Sequence, residues 1–397
     1  MTSPSESDPL IDAIRSVSTT SRRQFLGRSA LALGGVALGP TLLAACGSTK
    51  TTTGSTAGTA GQGAKSLRFS NWPAYIGTDP DTLAAFKKDT GISVAYREDV
   101  NDNEEWFAKN KDPLSHHADI GADLVVLTDF MVARLMTLGW LAKLDSGQIP
   151  NKKNLRQQLM DVPYDNGRNY SLPWMSGMTG LAYNSDLVHK PVTSVDDLFD
   201  PAYKGKVTLL SDLRDGLGMI MLSQGNTPAN PSTATVQKAA DKVQAEKNKG
   251  QIRRFTGNDY LDDLAQGNVI VAQVYSGDVA QLQKDNPHLR FVVPETGSTM
   301  FSDNMVVPYT AKNQVAAQTF MNWVYDPKNY APLVAQVQYI PVISNAGPDL
   351  AKIDPKLVAN PLINPPASTL DKLTTWKALT DKEDQEYTSI YASVTGG

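Results

Sequence analysis

Two kinds of side chain, aromatic rings and carboxylates, gather at one kind of place in this chain: the turns that follow short apolar runs. Trp72 and Tyr75 follow the run at 67–70, and Phe130 follows Asp123-Leu124-Val125-Val126-Leu127-Thr128. Asp212 and Asp215 follow Val207-Thr208-Leu209-Leu210, Tyr275 with Asp278 closes the run at 269–275, and Phe301 with Asp303, Tyr339 and Trp376 complete the set. Such a mixture suits a flexible organic cation. Carboxylates pair with ammonium groups, ring faces add cation–π attraction, and flat rings sandwich methylene chains. It suits a sugar nearly as well, because rings stack on pyranose faces and carboxylates accept from hydroxyls. Each residue also has a purely structural explanation. Asp212 and Asp215 fit the cap and first turn of a helix at 216–224, and Phe130, Tyr275 and Phe301 fit a core. Asp303, between Phe301 and Met305, is a carboxylate among bulky apolar neighbours and needs a partner.

Other chemistries have weaker support. His116-His117, His189 and His288 are scattered, so no metal site is expected. There is no G-x-S-x-G elbow, no H-E-x-x-H pattern and no Gly-rich phosphate loop, and Asp262-Asp263 point to different faces of an expected helix. These absences argue against an enzyme and against a cofactor. The 397 residues carry 37 Lys and Arg against 41 Asp and Glu, a net charge of −4 with no basic tract, which argues against a nucleic-acid partner. The single cysteine permits no intramolecular disulfide, and an ordinary 41% hydrophobic composition suits a globular protein of two to three domains.

The elements that must position the aromatic and acidic residues alternate. A strand at 67–70, a helix at 79–89 closed by Gly91, a strand at 92–96, a helical stretch at 104–108, a strand at 123–127 and a helix carrying Phe130, Met131, Leu135 and Leu138 form a parallel α/β unit. Ligands in such sheets bind beyond the carboxyl ends of strands. A second unit holds a strand at 206–210, helices near 215–224 and 234–248 and a strand at 269–275. The expected architecture is therefore an α/β fold of two lobes with a central cleft. Runs at 291–293 and 305–307, flanking Gly297, are the expected connections between lobes.

The N-terminus reads as an address. Arg22-Arg23 precedes an uncharged run at 29–45 that ends in Leu43-Ala44-Ala45-Cys46-Gly47. A twin-arginine export signal followed by a lipobox fits this pattern, with Cys46 as the lipidated residue. A membrane span is the alternative, but a span needs about 20 strongly apolar residues. Residues 47–66, rich in Gly, Ser and Thr, read as a flexible tether. The expected organisation is a signal at 1–45, a lipidated Cys and tether at 46–66, lobe 1 at 67–177 and 300–345, and lobe 2 at 178–299 and 346–397. Such a chain is held by lipid on the outer face of the cytoplasmic membrane or in the periplasm.

With these elements in place, Ser70-Asn71-Trp72-Pro73-Ala74-Tyr75 resembles the opening signature of the spermidine/putrescine-binding proteins of bacterial ABC transporters. Tyr170-Ser171-Leu172-Pro173-Trp174 with Gly177, Pro201-Ala202-Tyr203-Lys204-Gly205, Leu209-Leu210-Ser211-Asp212, Tyr275-Ser276-Gly277, Phe301-Ser302-Asp303 and Gln338-Tyr339-Ile340-Pro341 are similar to that family in order. The similarity covers 67–345. It implies a type II periplasmic-binding-protein-like fold with two hinge crossings, no catalytic activity, and a monomer that delivers polyamine to ABC permease subunits. By position, Trp72 and Tyr75 line the cleft, and Thr128 and Phe130 form its first-lobe wall. Asp212 and Asp215 face one amine, Tyr275 and Phe301 are aromatic walls, Asp303 pairs with an ammonium, and Tyr339 closes the far side. Four positions depart from the family: Pro73 replaces a hydroxyl residue, Tyr275 and Phe301 replace Trp, and Lys377 falls where an amide is expected. An inward-pointing Lys377 would repel an amine. A sugar, another small cation or an exported hydrolase are the alternatives, and the lack of a Tyr-Tyr pair argues against ferric ion.

Overall fold

The computed structural model describes residues 65–396 apart from Pro80. The expected export signal at Arg22 and Arg23, lipidation at Cys46 and most of the tether lie outside the described residues. Along the chain the elements are β1 (Ser66–Asn71), α1 (Thr82–Thr90), β2 (Ser93–Glu98), α2 (Asn103–Ser115), β3 (Leu124–Thr128) and α3 (Asp129–Thr137). A small hairpin of β4 (Asp161–Val162) and β5 (Asp165–Asn166) leads to the long β6 (Ser171–Asn184). Then come β7 (Val207–Leu210), α4 (Leu213–Ser223), α5 (Thr233–Asn248), β8 (Ile252–Thr256), α6 (Tyr260–Gln266), β9 (Val271–Tyr275), α7 (Ser276–Leu282), β10 (Leu289–Val292) and β11 (Ser298–Val306). The chain ends with α8 (Gln314–Val324), α9 (Pro327–Val337), α10 (Gly347–Ile353), α11 (Pro355–Ala359), α12 (Ala367–Leu370), β12 (Leu373–Thr374) and α13 (Asp381–Thr395).

The first lobe follows from alternation of apolar runs and capped helices. Asp81 and Asp102 each accept two backbone N–H bonds at the starts of α1 and α2, and Gly91 ends α1 with φ 75°. β1 pairs in parallel with both β2 and β3, so the connecting helices cross over the sheet. The four leading residues of β3 are completely buried, as expected of a central parallel strand. In the second lobe β7 pairs in parallel with β8 and with β9. The strand order β2-β1-β3-β11-β6-β9-β7-β8 joins the two halves.

Two strands carry the chain across. Residues 171–178 of β6 run antiparallel to β11, and residues 179–183 run antiparallel to β9, so the crossing falls between Met178 and Thr179. β11 makes the second crossing, and its later part reaches β3. The run at 291–293 is no connection: β10 pairs with β6 inside the second lobe.

The apolar clusters define the lobes by packing. Leu67, Phe69, Leu124, Trp174, Phe320 and Tyr330 belong to one, and Leu209, Leu217, Val236, Val243 and Val271 to another, each side chain fully buried. Burying such a side chain contributes about 1.5–3 kcal/mol. Residues 346–397, assigned as a block to lobe 2 from the sequence, divide in the structure. Ala346, Leu350, Leu357 and Ile363 pack in the first-lobe cluster, whereas Tyr387, Tyr391 and Val394 of α13 pack in the second.

Candidate ligand-binding site

A cavity lies where the carboxyl ends of the strands of both lobes meet. Eight of the ten ligand-binding residues expected from the sequence line it: Trp72, Tyr75, Thr128, Asp215, Tyr275, Phe301, Asp303 and Tyr339. Pro73, Asn258 and Asp278 line it too, and among the described residues no Lys or Arg does.

Asp303 is set by sheet register. It sits on β11 directly across from Thr128 at the end of β3. The Thr128 hydroxyl donates to its Oδ1 at 2.8 Å, and the Tyr75 phenol donates to Oδ2 at 2.9 Å. Asn103, beginning α2, donates to Thr128 Oγ1 at 2.9 Å and holds that hydroxyl in place. Burial pushes the Asp303 carboxyl up to about 7, against the lowering effect of these two bonds.

Asp278 and Asp215 come from the second lobe. Asp278, in the first turn of α7, accepts from Tyr260 at 2.5 Å, Asn258 at 2.9 Å and Tyr339 at 2.6 Å. Asp215, in the first turn of α4, accepts from Thr179 at 2.6 Å and from the Tyr275 phenol at 3.1 Å. Burial raises the proton affinity of both carboxyls. Three carboxylates thus surround one cavity, Asp278 and Asp303 buried and Asp215 half-buried, each held by neutral hydroxyls or amides and, among the described residues, none ion-paired there.

The rings are fixed by each other. Tyr275 and Phe301 meet edge to face with centroids 5.2 Å apart, and Tyr75 and Tyr339 do so at 4.9 Å. Gly277 and Gly177 make room for two of them: a Cβ on Gly277 would lie 2.0 Å from the Tyr339 ring, and one on Gly177 2.4 Å from Phe301. Trp72 is 9% exposed, and its indole N–H has no hydrogen-bond partner among the described residues.

Two expected residues lie outside the cavity. Asp212 is the cap of α4: its Oδ1 accepts from the backbone N–H of Arg214 at 2.7 Å and of Asp215 at 3.4 Å. Phe130 is covered by the guanidinium of Arg214, whose central carbon lies 3.6 Å from the ring centroid. Lys377 does not point inward. Its ammonium pairs with Glu383 at 2.7 Å on the surface, and Trp376 donates to the Arg214 carbonyl at 2.9 Å. Asn258 is a site residue that the sequence does not announce, whereas Asp278, gathered with Tyr275 among the strand-end carboxylates, is expected there without an individual role toward the ligand.

The geometry has clear relatives. The model of the bacterial extracellular solute-binding proteins matches residues 81–365. The chain belongs to that family. It is 32% identical over 354 residues to the putrescine-binding periplasmic protein SpuD of Pseudomonas aeruginosa, covering 84% of this chain and 92% of that one. To the putrescine-binding periplasmic protein PotF of Escherichia coli it is 30% identical over 352 residues, with the same two shares, 84% and 92%. Among solved structures, the spermidine/putrescine ABC transporter substrate-binding protein PotD of Streptococcus pneumoniae superposes with a TM-score of 0.68 at 25% identity, covering 84% of this chain and 99% of that one. The family fold of two lobes around a cleft is the one described above. Family members bind solutes rather than transform them, and among the described residues no helix is long and apolar enough to cross a membrane.

Proposed function

We propose that this solute-binding protein captures polyamines, putrescine or spermidine, in the cavity between its lobes and delivers them to the permease of an ABC importer. The observation that carries the reading is the cavity wall: three carboxylates, two of them buried and one half-buried, five aromatic rings and, among the described residues, no Lys or Arg. A cationic ligand turns the carboxylates' desolvation from a cost into an attraction, since buried charges persist when paired and hydrogen-bonded. A sugar would leave all three without a counter-charge. Ferric ion fits poorly because the phenols of Tyr75, Tyr275 and Tyr339 each donate to a carboxylate, and burial raises each of them well above the ordinary tyrosine value.

In this reading Asp303 faces one ammonium from the first-lobe wall, and Asp215 and Asp278 face another from the second. Trp72, Tyr75, Tyr275, Phe301 and Tyr339 enclose the methylenes, and Thr128 acts through Asp303. Closure brings the walls together by bending at β6 and β11, the hinge motion that a permease would recognise. A lipid on Cys46 would hold the receptor at the outer face of the membrane. Two acyl chains suffice for stable anchoring. Equilibrium dialysis of the purified protein against labelled putrescine tests the reading: saturable, one-to-one retention displaced by unlabelled spermidine supports it, and retention no greater than that of a denatured control refutes it.

A further inference from the structure

Tyr260 stands behind the site and lines no part of it. It opens α6, and its fully buried ring belongs to one apolar cluster with Leu264, Val274 and Val279. Its phenol nonetheless carries two bonds that reach the cavity wall. It donates to Asp278 Oδ2 at 2.5 Å, and it accepts at 2.9 Å from the backbone N–H of Tyr275, whose ring centroid lies 6.2 Å from its own. One hydroxyl thus ties the second-lobe carboxylate to the second-lobe ring.

Asp278 depends on such partners. It is 3% exposed, and the groups that bond to it are Tyr260 from α6, Asn258 just before α6, and Tyr339 just after α9. The Tyr75 phenol and the acids Asp215 of α4 and Asp303 of β11 share the cavity and bring no positive charge, and Lys284, beyond the end of α7, is exposed. A carboxylate oxygen offers about two acceptor positions. Tyr260 and Asn258 fill both on Oδ2, whereas Oδ1 takes only the Tyr339 phenol and keeps one position for a ligand. Burial favours the protonated acid, and each of the three bonds favours the carboxylate. Burial also holds the Tyr260 phenol well above the ordinary tyrosine value, so it stays a donor.

We infer that Tyr260 is a positioning residue for the ligand, which from outside the cavity turns Asp278 so that Oδ1 faces the ammonium and keeps that carboxylate charged. The inference rests on the polyamine reading above and adds to it a residue that touches no ligand. Without the Tyr260 hydroxyl, Oδ2 has an open position and the carboxyl holds its proton to higher pH. A protonated Asp278 offers an ammonium no counter-charge, so binding must then expel that proton.

Titration calorimetry with putrescine between pH 5.5 and 8, in buffers of different ionisation enthalpy, tests this on the wild-type protein, Tyr260→Phe and Tyr325→Phe. Tyr325 serves as the control: its phenol is equally buried, donates to the Pro173 carbonyl at 2.5 Å and lines no part of the cavity. Tyr260→Phe should bind putrescine at least about tenfold more weakly at pH 6, with a smaller deficit at pH 8. Its proton release on binding at pH 6 should rise from about one, the wild-type value set by Asp303, toward about two as Asp278 ionises too. Tyr325→Phe should keep the wild-type release and an affinity within about threefold. A Tyr260→Phe protein with wild-type affinity, or one weakened by the same factor at every pH with its proton release unchanged, would overturn the role of Tyr260. An equal effect of Tyr325→Phe would do so as well. If Tyr260→Phe does not fold, Asn258→Ala removes the other donor to Oδ2, and a proton release equal to that of the wild type would then overturn the inference. Each of these failures leaves the polyamine reading intact, whereas a wild-type protein that binds no putrescine would overturn both together.

Discussion

Replacing Asp303 by Asn removes one charge and almost no volume from the centre of the site. The carboxylate is 5% exposed and accepts from Tyr75 and Thr128 at 2.9 and 2.8 Å, both of them hydroxyls able to turn toward an amide. In the complex, an ammonium facing Asn loses a charge-assisted bond of about 1.5–3 kcal/mol and stays desolvated. Truncating one partner of a buried charged pair costs about 2–5 kcal/mol, so about 3 kcal/mol, or roughly a 100-fold weaker dissociation constant, is expected. The ligand-free protein should respond in the opposite sense. The Asp303 carboxyl rises from 3.8 to about 7 on folding. A raised acid favours the folded state fully below its unfolded value and loses that contribution as pH climbs through the folded one. Across that interval the loss approaches about 4 kcal/mol, so above pH ~7 the unliganded wild type carries a buried charge that Asn lacks. Calorimetry with putrescine at pH 7.5 and thermal denaturation without ligand at pH 5 and 8.5 read the two effects. An Asp303→Asn protein that binds putrescine within threefold of wild type would refute the assignment of an ammonium to this carboxylate, and one that melts lower than wild type at pH 8.5 would refute the account of its charge.

The same carboxyl makes binding pH-dependent. An ammonium favours the ionised form, so putrescine affinity should fall as pH drops below about 7, and titration at pH 6 in buffers of different ionisation enthalpy should register close to one proton released by Asp303. A pH-independent affinity between 5.5 and 8 would contradict this. Gly277→Ala drives a methyl into the Tyr339 ring, 2.0 Å away, and breaks the Tyr339–Asp278 bond, so binding should weaken at least about tenfold and the melting point should fall, as overpacking costs about 1–3 kcal/mol. Lys377→Gln should leave putrescine affinity within twofold, because that ammonium pairs with Glu383 away from the cavity. A large gain in affinity would show that Lys377 reaches the ligand.

The strand-end logic carries much of this site because it depends on local order alone. A short apolar run ends where its side chains stop being buried, and the next few residues face the cleft; Trp72, Tyr75, Asp215 and Tyr275 are placed that way. What is not legible depends on distant segments. Phe130 obeys the same local rule, but α4 and α13 bring Arg214 and Asp384 over it from the other lobe. Asp212 and Asp215 look interchangeable in sequence, yet one turns back to cap α4 while the other faces Thr179 and Tyr275. The first crossing is hidden because Gly177 and Gly180 break the apolar pattern of β6 into two short runs. They are there because the rings of Phe301 and Phe291 lie within 2.4 and 2.3 Å of where a Cβ would stand. The division of 346–397 between lobes likewise follows from packing of α10 and α11 on the first cluster, which no local pattern announces.

The central claim is that the cleft takes a polyamine, and a thermal-shift panel tests it most directly. The panel would hold putrescine, cadaverine, spermidine, spermine, a set of sugars, glycine betaine and ferric citrate. A ligand at about 100 times its dissociation constant adds about 2.7 kcal/mol to stability and moves the midpoint by several degrees. The account predicts such a rise with putrescine and none with the sugars, glycine betaine or ferric citrate. A midpoint unmoved by every amine, with a rise for a sugar or for iron, would contradict it.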